Sequence, residues 1–263
     1  MLIFNADDFN LNAVDSKRII EVSKHGIIKS TTIVSNNPTL KNYLNRIKSM
    51  ELSTGIHVNL VEGKPLSNVS SLVSDDGSFL PKKKFLKRLF LGKIDHEEIE
   101  KEISAQLEYL LDNAIRITHI DSHQNIHLFL PILNTIIKVA NKYRINKIRG
   151  QYFISDWFRK RNSTKTCVRA VFFFLWQIRA AKNFKCANRV IIDNPGLGFK
   201  VESIDKAIKL WEDALKNYYD RNIIYEVPCH VGLSDLEYEL YKSEEFLSML
   251  KRLNIKIGSY YDI

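Results

Sequence analysis

Thr118-His119-Ile120-Asp121-Ser122-His123-Gln124-Asn125-Ile126-His127 holds three of the chain's seven histidines, with a carboxylate between them. The apolar alternation leading into it (Ile115, Ile117, Ile120) predicts a β-strand, and Leu128-Phe129-Leu130-Pro131 predicts the start of a helix. In an extended strand His119, Asp121 and His123 leave on one side and Ile120 on the other. Burying such a row requires partners, and neutral imidazoles beside a carboxylate suit a divalent metal. The stretch reads equally as a polar strand-to-helix loop with solvated histidines.

Outward from this stretch the chain alternates strand and helix. Leu2 to Asn5 opens a strand that exits through Ala6-Asp7-Asp8-Phe9. Ala13 to His25 has helical spacing with Gly26 as its C-cap. Strands are expected at Ser30–Ser35, Leu52–Leu60, Ile145–Gly150 and Ile223–Val227. Helices are expected from Pro38 to Lys48, His96 to Asn113, Pro131 to Tyr143, Ile204 to Tyr218 and Ser243 to Leu253. Val61 to Lys84 reads as a long loop, a length more often functional than idle. The alternation predicts an α/β fold with a parallel sheet, open or closed into a barrel. Asp7 and Asp8, His57, His123 and His230 each fall within or just past a separate expected strand. Such strand ends converge on one face of a βα barrel.

Composition narrows the function classes. With 263 residues, 45% of them hydrophobic, the chain can bury a large core. No apolar span reaches membrane-crossing length, and the N-terminus is too short and acidic for a signal peptide. Cys167, Cys186 and Cys229 are far apart and without zinc-ribbon or redox spacing, so a reduced, cytoplasmic protein is expected. The formal charge of +9 favours anionic partners, but no nucleic-acid motif accompanies it. Residues 152–189 combine aromatics with bases. They read either as an outer helix packing its aromatics inward or as a peripheral contact with anionic lipid at the inner membrane face. No domain linker is apparent, so a single domain over 1–263 is expected, with 152–189 as an insertion. A homo-oligomer is compatible with the sequence.

Taken singly, the chemical residues have modest readings. Asp7-Asp8 could lead a helix N-terminus, or could divide labour between metal binding and base chemistry. His57 alone reads as a satisfied buried histidine. His25 reads as a helix-dipole partner and His96 as a surface residue.

In order, however, Asn5-Ala6-Asp7-Asp8-Phe9, Thr31-Thr32, Gly55-Ile56-His57-Val58-Asn59-Leu60, Gly63-Lys64-Pro65-Leu66, Thr118 to His123 with His127 and Pro131, Glu226, Cys229-His230, Gly232 and Gly258-Ser259-Tyr260 resemble the YdjC-like carbohydrate deacetylases, also called chitooligosaccharide deacetylases. The resemblance implies a distorted, TIM-like βα barrel that hydrolyses the N-acetyl group of an amino sugar with one divalent metal. By the same resemblance Asp8, His57 and His123 are expected to ligate the metal, Asp7 to act as base and His230 as acid. Asp121 is expected to orient a ligand histidine and Arg149 to steer a carboxylate or substrate. Spacing, not the resemblance, makes His127 a reserve ligand: four residues from His123 would suit a helix, although the expected strand exit argues against it. Ligand softness favours zinc, whereas family descriptions name magnesium. The chain departs from the family at Asn10, where glycine is usual, at Asn125, often a histidine, and at Val231, usually proline. The same metal site could serve another amide or a phosphoester. The remaining alternative is a basic surface-binding module.

Overall fold

The computed structural model describes residues 1–150, 175–184, 186–188, 201 and 203–263. Its frame is one parallel sheet. The strands are β1 (Leu2–Phe9), β2 (Ser30–Ile33), β3 (Ser53–Val58), β4 (Ile117–Ser122), β5 (Lys147–Arg149), β6 (Cys186–Asn188), β7 (Tyr225–Cys229) and β8 (Ile257–Gly258). They lie in the order β6-β5-β4-β3-β2-β1-β7, with β8 alongside the start of β1. All ladders between these strands are parallel. Among the described residues β6 and β7 do not pair, so the sheet curls without closing into the TIM-like barrel expected from sequence.

Strand periodicity sorts the side chains into two environments. On β1, Leu2, Phe4 and Ala6 enter the main apolar core, and Ile56 and Val58 of β3, Ile120 of β4 and Ile148 of β5 join the same cluster. The alternate positions form the concave face, which is polar: Asn5 and Asp7, Ser30 and Thr32, His57, His119 and Asp121, and Arg149 are all buried. A buried polar layer is tolerable only if its members bond one another, and these do.

Helices cover the apolar face. Helix α1 (Ala13–Val22) is capped by Asn12, whose side chain accepts from the Val14 and Asp15 amides, and the following turn ends at Gly26 with φ 81°. Helix α2 (Leu44–Ser49) follows a short 3₁₀ turn begun by Pro38. Helix α3 (Lys82–Phe90) starts within the last residues of the expected loop, which was read to Lys84, and runs on through a stretch given no element from the sequence. Its lysine-rich run hides a short amphipathic pattern in which only Phe85 and Leu89 are buried. Helix α4 (His96–Asp112) buries Ile99, Ile103, Leu107 and Leu110, the stripe its spacing predicts. Helix α5 (Leu130–Lys142) carries Pro131 in its first turn. Later helices at Ile204–Tyr218, Asp235–Leu240 and Glu244–Arg252 complete the cover.

The C-terminal segment enters the concave face from below. Tyr260 is fully buried, and its ring stacks on His119 with centroids 3.5 Å apart. The His119 ring in turn lies against Gly55, where a built Cβ would sit 2.6 Å from the imidazole. Glycine is required at 55 because the ring occupies the space a side chain would need.

Candidate active site

The two adjacent acids of β1 should point to opposite faces of a regular strand. They do not, because the β1–β2 register shifts between Ala6 and Phe9 and Asp8 adopts φ 66°. This irregularity turns both carboxylates into the same buried region. Asn10, where the resemblance led to an expectation of glycine, also has a positive φ, 69°, and its side-chain amide donates to the Val34 and Asn37 carbonyls to hold the turn.

Asp8 Oδ1 lies 3.1 Å from His57 Nε2 and 2.9 Å from His123 Nδ1. Burial raises the Asp8 carboxyl, but the hydrogen bonds from His123 and His57 prevail and hold it well below the usual carboxylate range. His57 is oriented from behind: its Nδ1 lies 2.6 Å from Asp121 Oδ1, and Thr32 Oγ1 donates to Asp121 Oδ2 over 2.9 Å. Burial alone would lower the His57 pKa, yet Asp121 and then Asp8 push it up to about 10. The pocket is therefore built to stabilise positive charge, and Asp8, His57 and His123 can each offer a ligand atom to one divalent ion. This donor set fits a divalent metal.

Asp7 lies beside this cluster in a different bonding pattern. Arg149 clamps it with two hydrogen bonds, 2.6 and 2.5 Å, and Asn5 Nδ2 donates to it at 2.8 Å. Burial raises the Asp7 carboxyl, but the Arg149 guanidinium outweighs it and keeps the pKa below its ordinary value. His230 Nε2 is 3.6 Å from Asp7 Oδ2, and the ring is partly exposed just past the end of β7. Its backbone N–H donates to Glu237.

Beneath Asp7 a fully buried network fills the concavity. Arg149 also pairs with Asp121 at 2.7 Å and with Glu226 Oε1 at 2.7 Å, and the Tyr260 hydroxyl donates to the other Glu226 oxygen. Three carboxylates surround one guanidinium. Burial raises the Glu226 carboxyl to about 7, Arg149 opposes this, and Asp121 and Asp7 add to it. The fold thus holds a proton on Glu226 that the unfolded chain releases above its ordinary 4.5. The stabilisation is full below pH 4.5 and is lost as pH rises to about 7. In urea melts from pH 5 to pH 8, the wild type should lose stability relative to Glu226→Gln. Parallel pH profiles for the two proteins would contradict this.

The candidate site residues read from the sequence now have places. Asp7, Asp8, His57, His123, Asp121 and Arg149 are brought together, with His230 at the rim. Arg149 spends its donors on carboxylates and is 2% exposed. His127 stands apart: its Nδ1 bonds Ser122 Oγ at 2.6 Å, and burial, with Arg149 and His57, lowers its pKa to about 3. Most of the 152–189 stretch lies outside the described residues. Of its described part, Trp176 is buried and donates to the His127 carbonyl, while Leu175 and Ile178 are exposed. Sequence reasoning assigned no role to Thr32, Asn5 or Glu62. Glu62 lies in the loop after β3, and its Oε2 is 2.9 Å from His123 Nε2. Its proximity to the glycine and proline of that loop was legible, but its partner was not.

The chain belongs to the YdjC-like protein family, which matches residues 1–252. A carbohydrate deacetylase of Listeria monocytogenes serotype 4a (strain HCC23) is 36% identical over 159 residues, covering 59% of this chain and 63% of that protein. A carbohydrate deacetylase of Clostridium beijerinckii is 36% identical over 146 residues, covering 55% and 58%. The chain thus matches about six tenths of the length of these curated relatives. A crystal structure from Enterococcus faecalis V583, provisionally described as a cellobiose-phosphate cleavage protein, superposes with a TM-score of 0.73 at 24% identity. It covers 99% of this chain and 97% of its own, and the two share a fold. No helix among the described residues is long and apolar enough to cross a membrane.

Proposed function

We propose that the chain is a metal-dependent hydrolase that removes the N-acetyl group from an N-acetylated amino sugar. The observation that carries this is the convergence of Asp8 Oδ1, His57 Nε2 and His123 Nδ1 next to a second, separately bonded carboxylate, Asp7. The deacetylase names of the curated relatives support the same reading.

A divalent ion held by Asp8, His57 and His123 would supply Lewis acidity for the acetyl carbonyl and an acidified water. Two imidazoles and one carboxylate favour zinc over magnesium on ligand softness. Asp7, kept ionised by Arg149, takes the proton of the attacking water as the new C–O bond forms. His230 donates a proton to the sugar nitrogen as the C–N bond breaks, leaving acetate and a free amine. The 3.6 Å between His230 Nε2 and Asp7 Oδ2 then lets the proton held by Asp7 return to the imidazole. Asp121 holds His57 in the tautomer that presents Nε2, and Arg149 fixes Asp7 without reaching the substrate.

The test is mass analysis of N-acetylated chito-oligosaccharides and lipid-linked amino sugars after incubation with zinc- or magnesium-loaded protein. The lipid-linked arm is included because α3 carries Lys83, Lys84, Lys87 and Arg88, with Phe90 and Leu91 64% and 58% exposed after them. Its first residue, Lys82, donates to the Gln124 carbonyl, next to His123. Loss of one acetyl group from either substrate supports the reading. Intact amino sugars, with cleavage of a simple phosphoester or another amide instead, would overturn it.

A further inference from the structure

The two histidines of the cluster face Asp8 with opposite ring nitrogens. His57 turns Nε2 to Asp8 Oδ1 and Nδ1 to Asp121. His123 turns Nδ1 to the same oxygen and Nε2 to Glu62 Oε2, at 2.9 Å. Each imidazole thus lies between the shared oxygen and a carboxylate behind it. A carboxylate bonded to the far nitrogen fixes the tautomer and orientation of a metal-binding histidine and raises its basicity.

Glu62 is placed deliberately by the chain around it. Its backbone N–H donates to Asn59 Oδ1 at 3.1 Å, and its carbonyl accepts from Asn59 Nδ2 at 2.9 Å and Asn36 Nδ2 at 3.1 Å. Asn59 is itself fully buried and bonded through its own backbone to Gln106 of α4. The next residue, Gly63, has φ 75°, so the chain turns away directly after Glu62. The core therefore pins the backbone of Glu62 while its side chain stays 52% exposed. Among the described residues Gln124 Nε2 also lies near His123 Nε2, at the longer distance of 3.4 Å.

We infer that Glu62 is a positioning residue for the metal centre: it accepts the Nε2–H of His123 and so presents Nδ1 of that ring to the ion. The inference rests on the proposed metal-dependent reading, and it separates two supports that differ in exposure. Asp121 sets His57 from the buried interior, and Glu62 sets His123 from the mouth of the site.

Calorimetric titration of the metal-stripped protein with Zn2+ tests this, with wild type, Glu62→Ala and Glu62→Gln compared. Glu62→Ala should bind roughly 10- to 100-fold more weakly, the usual worth of such a partner. Glu62→Gln should recover part of the loss, because its amide oxygen accepts the same hydrogen bond. The melting temperature of the stripped protein should not change. In protein loaded with 113Cd and labelled with 15N in its histidine rings, the His123 coupling to the metal should run through Nδ1. Tight binding by wild type with equal affinity in Glu62→Ala, or coupling through Nε2, would overturn the inference while leaving the metal reading in place. No Zn2+ binding by wild type would overturn both.

Discussion

Asp7→Asn should lower turnover by roughly two to four orders of magnitude, the worth of a positioned base, while metal content stays at the wild-type level. The geometry separates the two adjacent acids. Asp8 faces His57 and His123, whereas Asp7 faces Arg149, Asn5 and, at 3.6 Å, His230. An asparagine keeps the shape and can still accept from Arg149 through its carbonyl oxygen, but it cannot take a proton from water. Arg149 keeps the Asp121 carboxylate as its ion-pair partner and still donates to Glu226 Oε1, so the buried cation is not orphaned. Elemental analysis and turnover, measured on the same preparation, decide the matter. Loss of metal together with activity would mean that Asp7 and Asp8 have exchanged the proposed roles.

His123→Ala should abolish tight metal retention and reduce activity to background, with the fold preserved. His123 sits at the first position after β4, where the chain leaves the strand into a 3₁₀ turn. Gln124 and Asn125 there take φ 51° and 56°. The buried side chain borders Glu62, which is already 52% exposed at the mouth of the site, so its removal opens Asp8 to water rather than leaving a dry cavity. His57→Ala is a less clean experiment, because it would strip Asp121 of a hydrogen bond inside the fully buried network. After dialysis, His123→Ala should hold far less than one metal per chain. Full occupancy would remove His123 from the proposed ligand set and turn attention to Glu62 or His127.

The sequence made the strand-helix alternation legible because the covered face of the sheet is apolar and the helices are amphipathic. Helix Ile204–Tyr218 falls on the range read from its spacing, and Gly26 takes the left-handed conformation expected of a C-cap. The concave face was harder to read. Its residues are polar and single, and their partners are distant in sequence, as with Arg149 to Asp7 or Tyr260 to Glu226. Strand alternation would also have separated Asp7 from Asp8, and only the bulge and the positive φ of Asp8 bring them to one region. Family motifs drew attention to Glu226 and Tyr260 without giving them a task. Closure of the barrel was not legible at all, since it depends on whether the edge strands meet. Helix α3 was missed for a local reason: its lysines dilute a pattern carried by two buried residues, Phe85 and Leu89.

The most direct test of the central proposal is acetate release by chelator-stripped protein as Zn2+ is added back, with an N-acetylated chito-oligosaccharide as substrate. The metal-free protein should release no acetate above background, and activity should rise with added ion and level off at one equivalent per chain. Asp7→Asn should bind the same equivalent and stay nearly inactive. Full acetate release by the metal-free protein, or release that does not depend on Asp8, His57 and His123, would contradict the account.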